Sequence, residues 1–325
     1  MNRRDIVRVG LLGAANLSIG ARVRAQKLPF RIGALVPVPD NGRFSVALRD
    51  GLRDLGWSED SAFTLEIRQA DGTVAAFRRL GAELAALPVD VLVTASTAAA
   101  SALAQTTTTI PIVFVGTFDP MAAGLIDSLD HPGRNLTGVA GFQADIATKW
   151  VAQLKEIAPG VTEMVIFSNP GSVSAAALAG WKAVTSRSAS ISEVHVGAVA
   201  DIEPAIAEVA KNPHAGMIVV PHTFPLANRK AVVDAMSKDR VPAIYGVAEM
   251  VRAGGLISYG QDLAAQWRMS ALYIDKIAHG AKPADLPVQY ATKYALAINK
   301  GAAKALGLQV PKAMIERADE IVDQG

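Results

Sequence analysis

The five histidines of this 325-residue chain stand at 131, 195, 214, 222 and 279, with no spacing that would close on a metal, and no cysteine accompanies them. Disulfides, thiolate catalysis and Cys-bound zinc are thereby excluded. No Gly-x-Gly-x-x-Gly opens a helix after a strand. A P-loop, a Gly-x-Ser-x-Gly elbow and a His-Glu-x-x-His are also absent from the sequence. What remains is a set of small polar residues that recurs where apolar runs stop. Pro39 and Asp40 follow one run, Ser96 and Thr97 a second, Thr117 and Asp119 a third. In the second half Asn169 and Ser172, His222 and Thr223, and Tyr245 with Glu249 beyond it hold the same kind of position. Hydroxyls and backbone N–H groups at helix N-termini suit a carboxylate, while an acid such as Asp119 or Glu249 suits an ammonium. Together they fit a small zwitterion. Each Ser, Thr, Asn and Asp of the set reads equally as a helix cap. Asp119-Pro120 starts a helix under either reading, and His222 reads equally as a locally bonded loop residue.

The elements that would position these groups alternate regularly. Phe30–Val36, Phe63–Gln69, Val89–Thr94 and Ile110–Val115 have strand character. Arg43–Leu55, Thr73–Leu87 and Ala98–Gln105 lie between them with helical periodicity. After a Gly-rich passage at His131–Gly141 the alternation resumes. Helices are expected at Ile146–Ile157, Ser174–Arg187, Ile202–Lys211 and Ala227–Lys238, and strands at Glu163–Phe167, Glu193–Val196, Gly216–Val220 and Pro242–Tyr245. His195 then falls in a strand as an edge or solvent-facing residue. A strand in Gly254–Gly260, a long helix at Leu263–His279 and a strand at Tyr294–Asn299 follow two already complete units. The chain must therefore cross between units more than once. Strand–helix alternation of this kind implies right-handed crossovers and doubly wound parallel sheets. Ligands of such sheets bind outside the carboxyl ends of the strands, where the polar set falls.

Half of the residues are apolar, 19% are charged and aromatics are few, which suits an α/β protein of two domains. The first 25 residues differ from the rest: Arg3, Arg4 and Arg8 precede the mostly apolar Val9–Ala21, and Val23-Arg24-Ala25 resembles a cleavage site. This reads as an export signal, and its start loosely resembles the twin-arginine type; a frayed cytosolic N-terminus or a helical arm is the alternative. Without that leader the formal charge changes from +2 to −2, so no basic patch argues for nucleic acid. No cofactor is expected.

Several stretches resemble one family in its order: DPMAAGLIDSL (119–129), PGRNLTGV (132–139), GGLISYGQDL (254–263) and the long run from Tyr273 to Pro311. The chain is similar to the substrate-binding proteins of ABC transporters of the tryptophan/tyrosine type, from about Phe30 to the C-terminus. The resemblance implies a type I periplasmic binding protein: two Rossmann-like lobes, three hinge crossings and a ligand cleft between the lobes. It implies a cleft lined by Pro39, Asp40, Ser96, Thr97, Thr117 and Asp119 on one side. Asn169, Ser172, His222, Thr223, Tyr245 and Glu249 line the other, with Tyr259 beside a crossing. The first loop, VPDNGRF, and the PHTF around His222 depart from the usual pattern. The expected division is a signal peptide at 1–25, lobe 1 at 28–118 plus 255–285, and lobe 2 at 138–250 plus 288–325. The crossings are expected near 119–137, 250–255 and 285–288.

The function implied is capture of a small polar or zwitterionic solute, an amino acid or aromatic acid, for delivery to a membrane permease. The protein would be a periplasmic monomer that makes and breaks no bond. Gly138, Gly141, Gly246 and Gly254-Gly255 are the residues near the crossings that could absorb a closing motion. Two alternatives remain open: a two-lobed enzyme with Asp119 and His222 as its base and acid, and a sensor subunit that hands its ligand to a receptor.

Overall fold

A computed structural model describes residues 29–39, 41–142, 146–169, 179–183, 189–291 and 294–323. The leader therefore lies outside the described residues, as do Asp40, Ser172 and most of the helix expected at Ser174–Arg187.

The first lobe is built on strands β1 (Phe30–Val36), β2 (Phe63–Gln69), β3 (Val91–Ala95), β4 (Ile112–Thr117) and β5 (Leu136–Ala140). Helices α1 (Arg43–Asp54), α2 (Val74–Ala86) and α3 (Thr97–Thr106) join the first four. The second lobe begins with α4 (Ile146–Ile157), β6 (Glu163–Ser168), β7 (Ser190–His195) and α5 (Ile202–Val209). It continues through β8 (Ala215–Val219), α6 (Thr223–Ala227), α7 (Arg229–Lys238), β9 (Ala243–Tyr245), α8 (Ala248–Arg252) and β10 (Ile257–Gln261). Helix α9 (Leu263–Ala278) and β11 (Gln289–Tyr290) return to the first lobe. Strand β12 (Tyr294–Asn299), α10 (Lys300–Ala305), α11 (Lys312–Arg317) and β13 (Glu320–Val322) end in the second.

The sheet orders are β11-β5-β4-β3-β1-β2 and β13-β12-β10-β9-β8-β6-β7. The pairings are parallel except β10 with β12, which is antiparallel. These are two doubly wound α/β lobes of the type I periplasmic binding fold. Their central strands are buried on both faces: in β1 only Arg31 is exposed, and all of β3 and β8 is buried. That is why these runs read as continuous apolar stretches rather than alternating ones.

The chain passes between the sheets after β5, after β10 and after β11. Each passage comes a few residues later than the expected division. Strand 257–261 pairs in the second sheet, not in lobe 1, whereas 136–140 and 289–290 pair in the first. At β5 the source of the difference is Gly138. In sequence it marks a turn-like passage, but here it lets β5 lie against β4. Its φ is +148°, and a Cβ there would come 1.9 Å from the Phe114 carbonyl oxygen. Gly138 serves strand packing, and Gly246 likewise stands where a Cβ would come 2.2 Å from the Pro221 ring. The helix expected at Ala227–Lys238 is two helices, broken at Asn228.

Helix α9 ties the second crossing to lobe 1. Asp262 caps it, accepting from the N–H groups of Ala264 (2.9 Å) and Ala265 (3.2 Å). Its buried stripe, Trp267, Ala271 and Ile274, packs on α1 in the first lobe's core. Gly51 permits that approach, since a Cβ there would lie 2.4 Å from the Arg268 carbonyl oxygen. Phe44 of α1 stacks on Trp267 at 5.8 Å with the rings 3° from parallel, which fixes the first turn of α1 beside the cleft.

Candidate functional site

A cavity of about 610 Å³, counted out to its mouth, lies between the lobes. Its wall is made by residues just past strand ends: Pro37 and Val38 after β1, Ser96 after β3, Phe118 after β4, His222 after β8 and Val247 after β9. The carboxyl ends of both sheets thus face one space, the position at which open α/β sheets take ligands. Phe44, Phe118, Phe142, Leu226 and Leu263 supply apolar surface, and Phe118 and Phe142 stack at 5.2 Å. None of the described residues that line it is Asp, Glu, Lys or Arg.

The polar residues of the wall are held by local geometry. Ser96 sits at φ +72°, ψ +153°, a region essentially reserved for glycine, which costs a serine about 1–3 kcal/mol. The strained turn brings the N-terminus of α3 to the cavity. The Ser96 hydroxyl accepts from Ala99 N–H at 3.4 Å, while the first N–H groups of a helix have no intrahelical acceptor. The Thr97 hydroxyl is used differently: it accepts from Phe118 N–H (3.0 Å) and donates to Phe118 C=O (3.2 Å). Thr97 therefore fixes an aromatic wall. His222 Nδ1 accepts from Phe224 N–H at 3.4 Å, capping α6 and leaving the ring proton on Nε2. Burial lowers the pKa of this ring from 6.5 to about 4, so at neutral pH it is an uncharged donor. Thr223 is buried beside it.

The cavity therefore brings together Ser96, Thr97, His222 and Thr223. The other expected residues lie elsewhere. Pro39 borders a second recess at the mouth, with Asn41, Arg43, Arg229 and Arg252. Glu249 pairs across the gap with Arg43 Nη1 at 2.5 Å. Thr117 is fully buried at the floor, its hydroxyl without a partner among the described residues. Asp119 is exposed and caps the following turn, accepting from Ala122 N–H at 3.0 Å. Asn169 donates to the Val196 carbonyl at 2.7 Å, within lobe 2. Tyr245 belongs to the core of lobe 2, where burial raises the pKa of its hydroxyl. Tyr259 stacks on Tyr294 at 5.7 Å, and its carbonyl accepts from Trp150 Nε1 at 2.6 Å. His195 is on edge strand β7, as expected. The cavity also contains residues outside the expected set: Phe44, Phe118, Phe142 and Gln261. The strand-end rule covers Gln261, the last residue of β10, which lies one residue past the strand expected in Gly254–Gly260.

Two α/β lobes with their strand ends facing across one cavity, uncharged among its described lining residues, define a solute-binding protein. The chain belongs to the family of ABC transporter substrate binding proteins, whose sequence profile matches residues 32–322. A tyrosine-binding protein of Clostridioides difficile strain R20291 is 22% identical over 288 residues, covering 86% of this chain and 80% of that one. A Streptococcus pneumonia ABC domain solved in complex with L-Trp superposes with a TM-score of 0.83 at 24% identity, covering 90% of this chain and 99% of the other. A conserved domain protein of Vibrio cholerae O1 biovar eltor gives 0.82 at 27% identity, with the same coverage of 90% and 99%.

Proposed function

We propose that this chain is the extracytoplasmic, monomeric binding subunit of an ABC importer and that it captures a small acid with an apolar or aromatic body. The observation that carries the reading is the composition of the cavity wall: among the described residues it offers aromatic and aliphatic surface, the N-terminus of α3 and uncharged polar side chains, with no charged side chain. An apolar wall favours a hydrophobic body, and the α3 N-terminus with Ser96 favours a carboxylate. His222 and Thr223 supply further neutral contacts from lobe 2, while Thr97 holds Phe118 in place. Of the other described residues of the expected set, Glu249 acts through the lobe contact and Thr117, Asp119, Asn169, Tyr245 and Tyr259 through the fold.

The binding reading is favoured over catalysis by the placement of the two candidate catalytic groups. Asp119 is exposed, and it is not among the residues that line the cavity with His222. The leader at 1–25 supports export, and the family supports delivery to a membrane permease. Among the described residues no helix is long and apolar enough to cross a membrane.

A thermal-shift screen against amino acids, aromatic acids and small peptides tests the proposal. Ligand bound to the native state alone raises the midpoint by mass action. A rise with one chemical class supports the reading; a flat screen, or a solute recovered chemically altered, contradicts it.

A further inference from the structure

Gln261 ends β10 in lobe 2, and Gln266 lies in α9, which packs on lobe 1. Gln266 Nε2 donates to Gln261 Oε1, so one hydrogen bond spans the second crossing. Both side chains are almost wholly buried, at 2% and 1% exposure. With that bond made, Gln261 retains Nε2 as a buried donor and Gln266 retains Oε1 as a buried acceptor, neither with a partner among the described residues. Buried donors are nearly always paired, and one left open calls for an explanation. Gln261 borders the cavity together with Ser96, Gly116 and Leu263. The second amide is seated at the same floor: a Cβ on Gly116 would come 3.2 Å from Gln266 Oε1. Gly116 directly follows Val115, whose carbonyl accepts from the Ser96 N–H at 3.1 Å. Gln261 and Ser96, the N-cap of α3, therefore border the same cavity.

We propose that Gln261 is a specificity-determining residue that donates its Nε2–H to a carboxylate oxygen of the ligand, and that Gln266 is the positioning residue that aims it. This rests on the cleft reading above. A carboxylate completes the missing bond, whereas an amine of the same shape leaves the donor buried and unpaired. A site built to hydrogen-bond one group discriminates strongly against analogues that lack it. Because the amide pair bridges a crossing, the donor is aimed by both lobes at once, which ties recognition of the oxygen to closure.

The test uses L-tryptophan and tryptamine, which share an indole and an amine and differ in the carboxylate, titrated calorimetrically into the whole protein. The wild-type protein prefers L-tryptophan by at least tenfold. Gln261→Glu keeps an oxygen for Gln266 and replaces the open donor by a second oxygen. It loses at least tenfold for L-tryptophan and holds or gains affinity for tryptamine. Gln261→Met removes the donor without adding charge; it weakens L-tryptophan about tenfold and leaves tryptamine unchanged. Gln266→Leu gives a smaller loss, again confined to L-tryptophan. Equal losses for both probes, or unchanged L-tryptophan affinity in Gln261→Met, overturn the assignment of Gln261. So does a wild-type protein that binds both probes alike, and in each of these cases the cleft stands. A wild-type protein that binds neither probe and shows no midpoint rise with any acid of the screen overturns the cleft reading and this proposal with it; if another acid of the screen binds, the same variants are titrated with that acid, and unchanged affinity in Gln261→Met overturns the assignment of Gln261 alone.

Discussion

Arg43, at the first position of α1 in lobe 1, places Nη1 2.5 Å from Oε1 of Glu249 in lobe 2. Glu249 also receives Arg252 Nη1 at 3.3 Å, and Arg252 Nη2 reaches Glu320 at 2.5 Å. The lobes are thus joined at the cleft mouth by an ion-pair chain. Glu249 is 18% exposed and Arg43 37%, so water screens the pair only in part. Partly exposed pairs contribute about 0.2–1 kcal/mol, and this one is made only while the lobes are together. Glu249→Gln is expected to weaken affinity for the best ligand of the screen up to about fivefold. The loss should come mainly through faster release, shrink in high salt and leave the unliganded midpoint nearly unchanged. Stopped-flow dissociation at two salt concentrations measures it; an unaltered release rate would contradict a role for the pair in closure.

The strain at Ser96 gives a second expectation. Ser96→Gly removes a positive-φ penalty at φ +72° and loses one long capping bond of 3.4 Å. The unliganded protein should gain about 1 kcal/mol, since glycine at an N-cap is only a few tenths poorer than serine. Ligand affinity should fall at the same time, because the hydroxyl at the cavity is gone. Urea melts with and without ligand read both. A variant that is less stable without ligand would show that the turn carries no strain.

His222 sets a pH dependence. Its pKa in the folded protein is lowered by burial to about 4, below the ordinary 6.5. An unfolded or opened chain therefore takes up a proton in the window between these values, and the closed form does not. The contribution is fully present above pH 6.5, declines as pH falls toward 4 and is lost below that, with an upper bound of about 3 kcal/mol. Ligand affinity should weaken between pH 7 and pH 5, and His222→Gln should flatten that slope. Calorimetric titrations at pH 7, 6 and 5 decide it; an equal slope in the variant would assign the effect to other groups.

Gly138 tests the architecture. A Cβ there meets the Phe114 carbonyl oxygen at 1.9 Å and sits on a φ of +148°. Gly138→Ala must push β5 off β4 or strain both, and a loss above about 3 kcal/mol is expected from combined overpacking and backbone strain. Denaturant unfolding followed by circular dichroism measures it. A loss below 1 kcal/mol would mean that β5 does not pack against β4 as described.

Much of the fold was legible because buried parallel strands such as Phe30–Val36 are continuous apolar runs, and helices such as Leu263–Ala278 keep a strict stripe. The lobe boundaries were not, because a strand's sheet is decided by partners far away in sequence. Strand β5 carries a glycine that reads as a turn, and only the approach of Phe114 explains it. At the cleft, strand ends located Ser96, Thr97, His222 and Thr223. The rule finds positions and says nothing of which way a side chain turns. Asp119 therefore proved exposed and Tyr245 buried in a core. The aromatic wall was missed for a related reason: Phe44, Phe118 and Phe142 come from separate segments and meet only at the crossings.

The central claim is that one uncharged cavity between two lobes takes up a small acid and releases it intact. Native mass spectrometry of the protein, loaded with the best ligand of the screen and then extracted, tests it most directly. The account predicts one added mass per chain and recovery of that same molecule unchanged. Several adducts per chain or a chemically altered solute would contradict it.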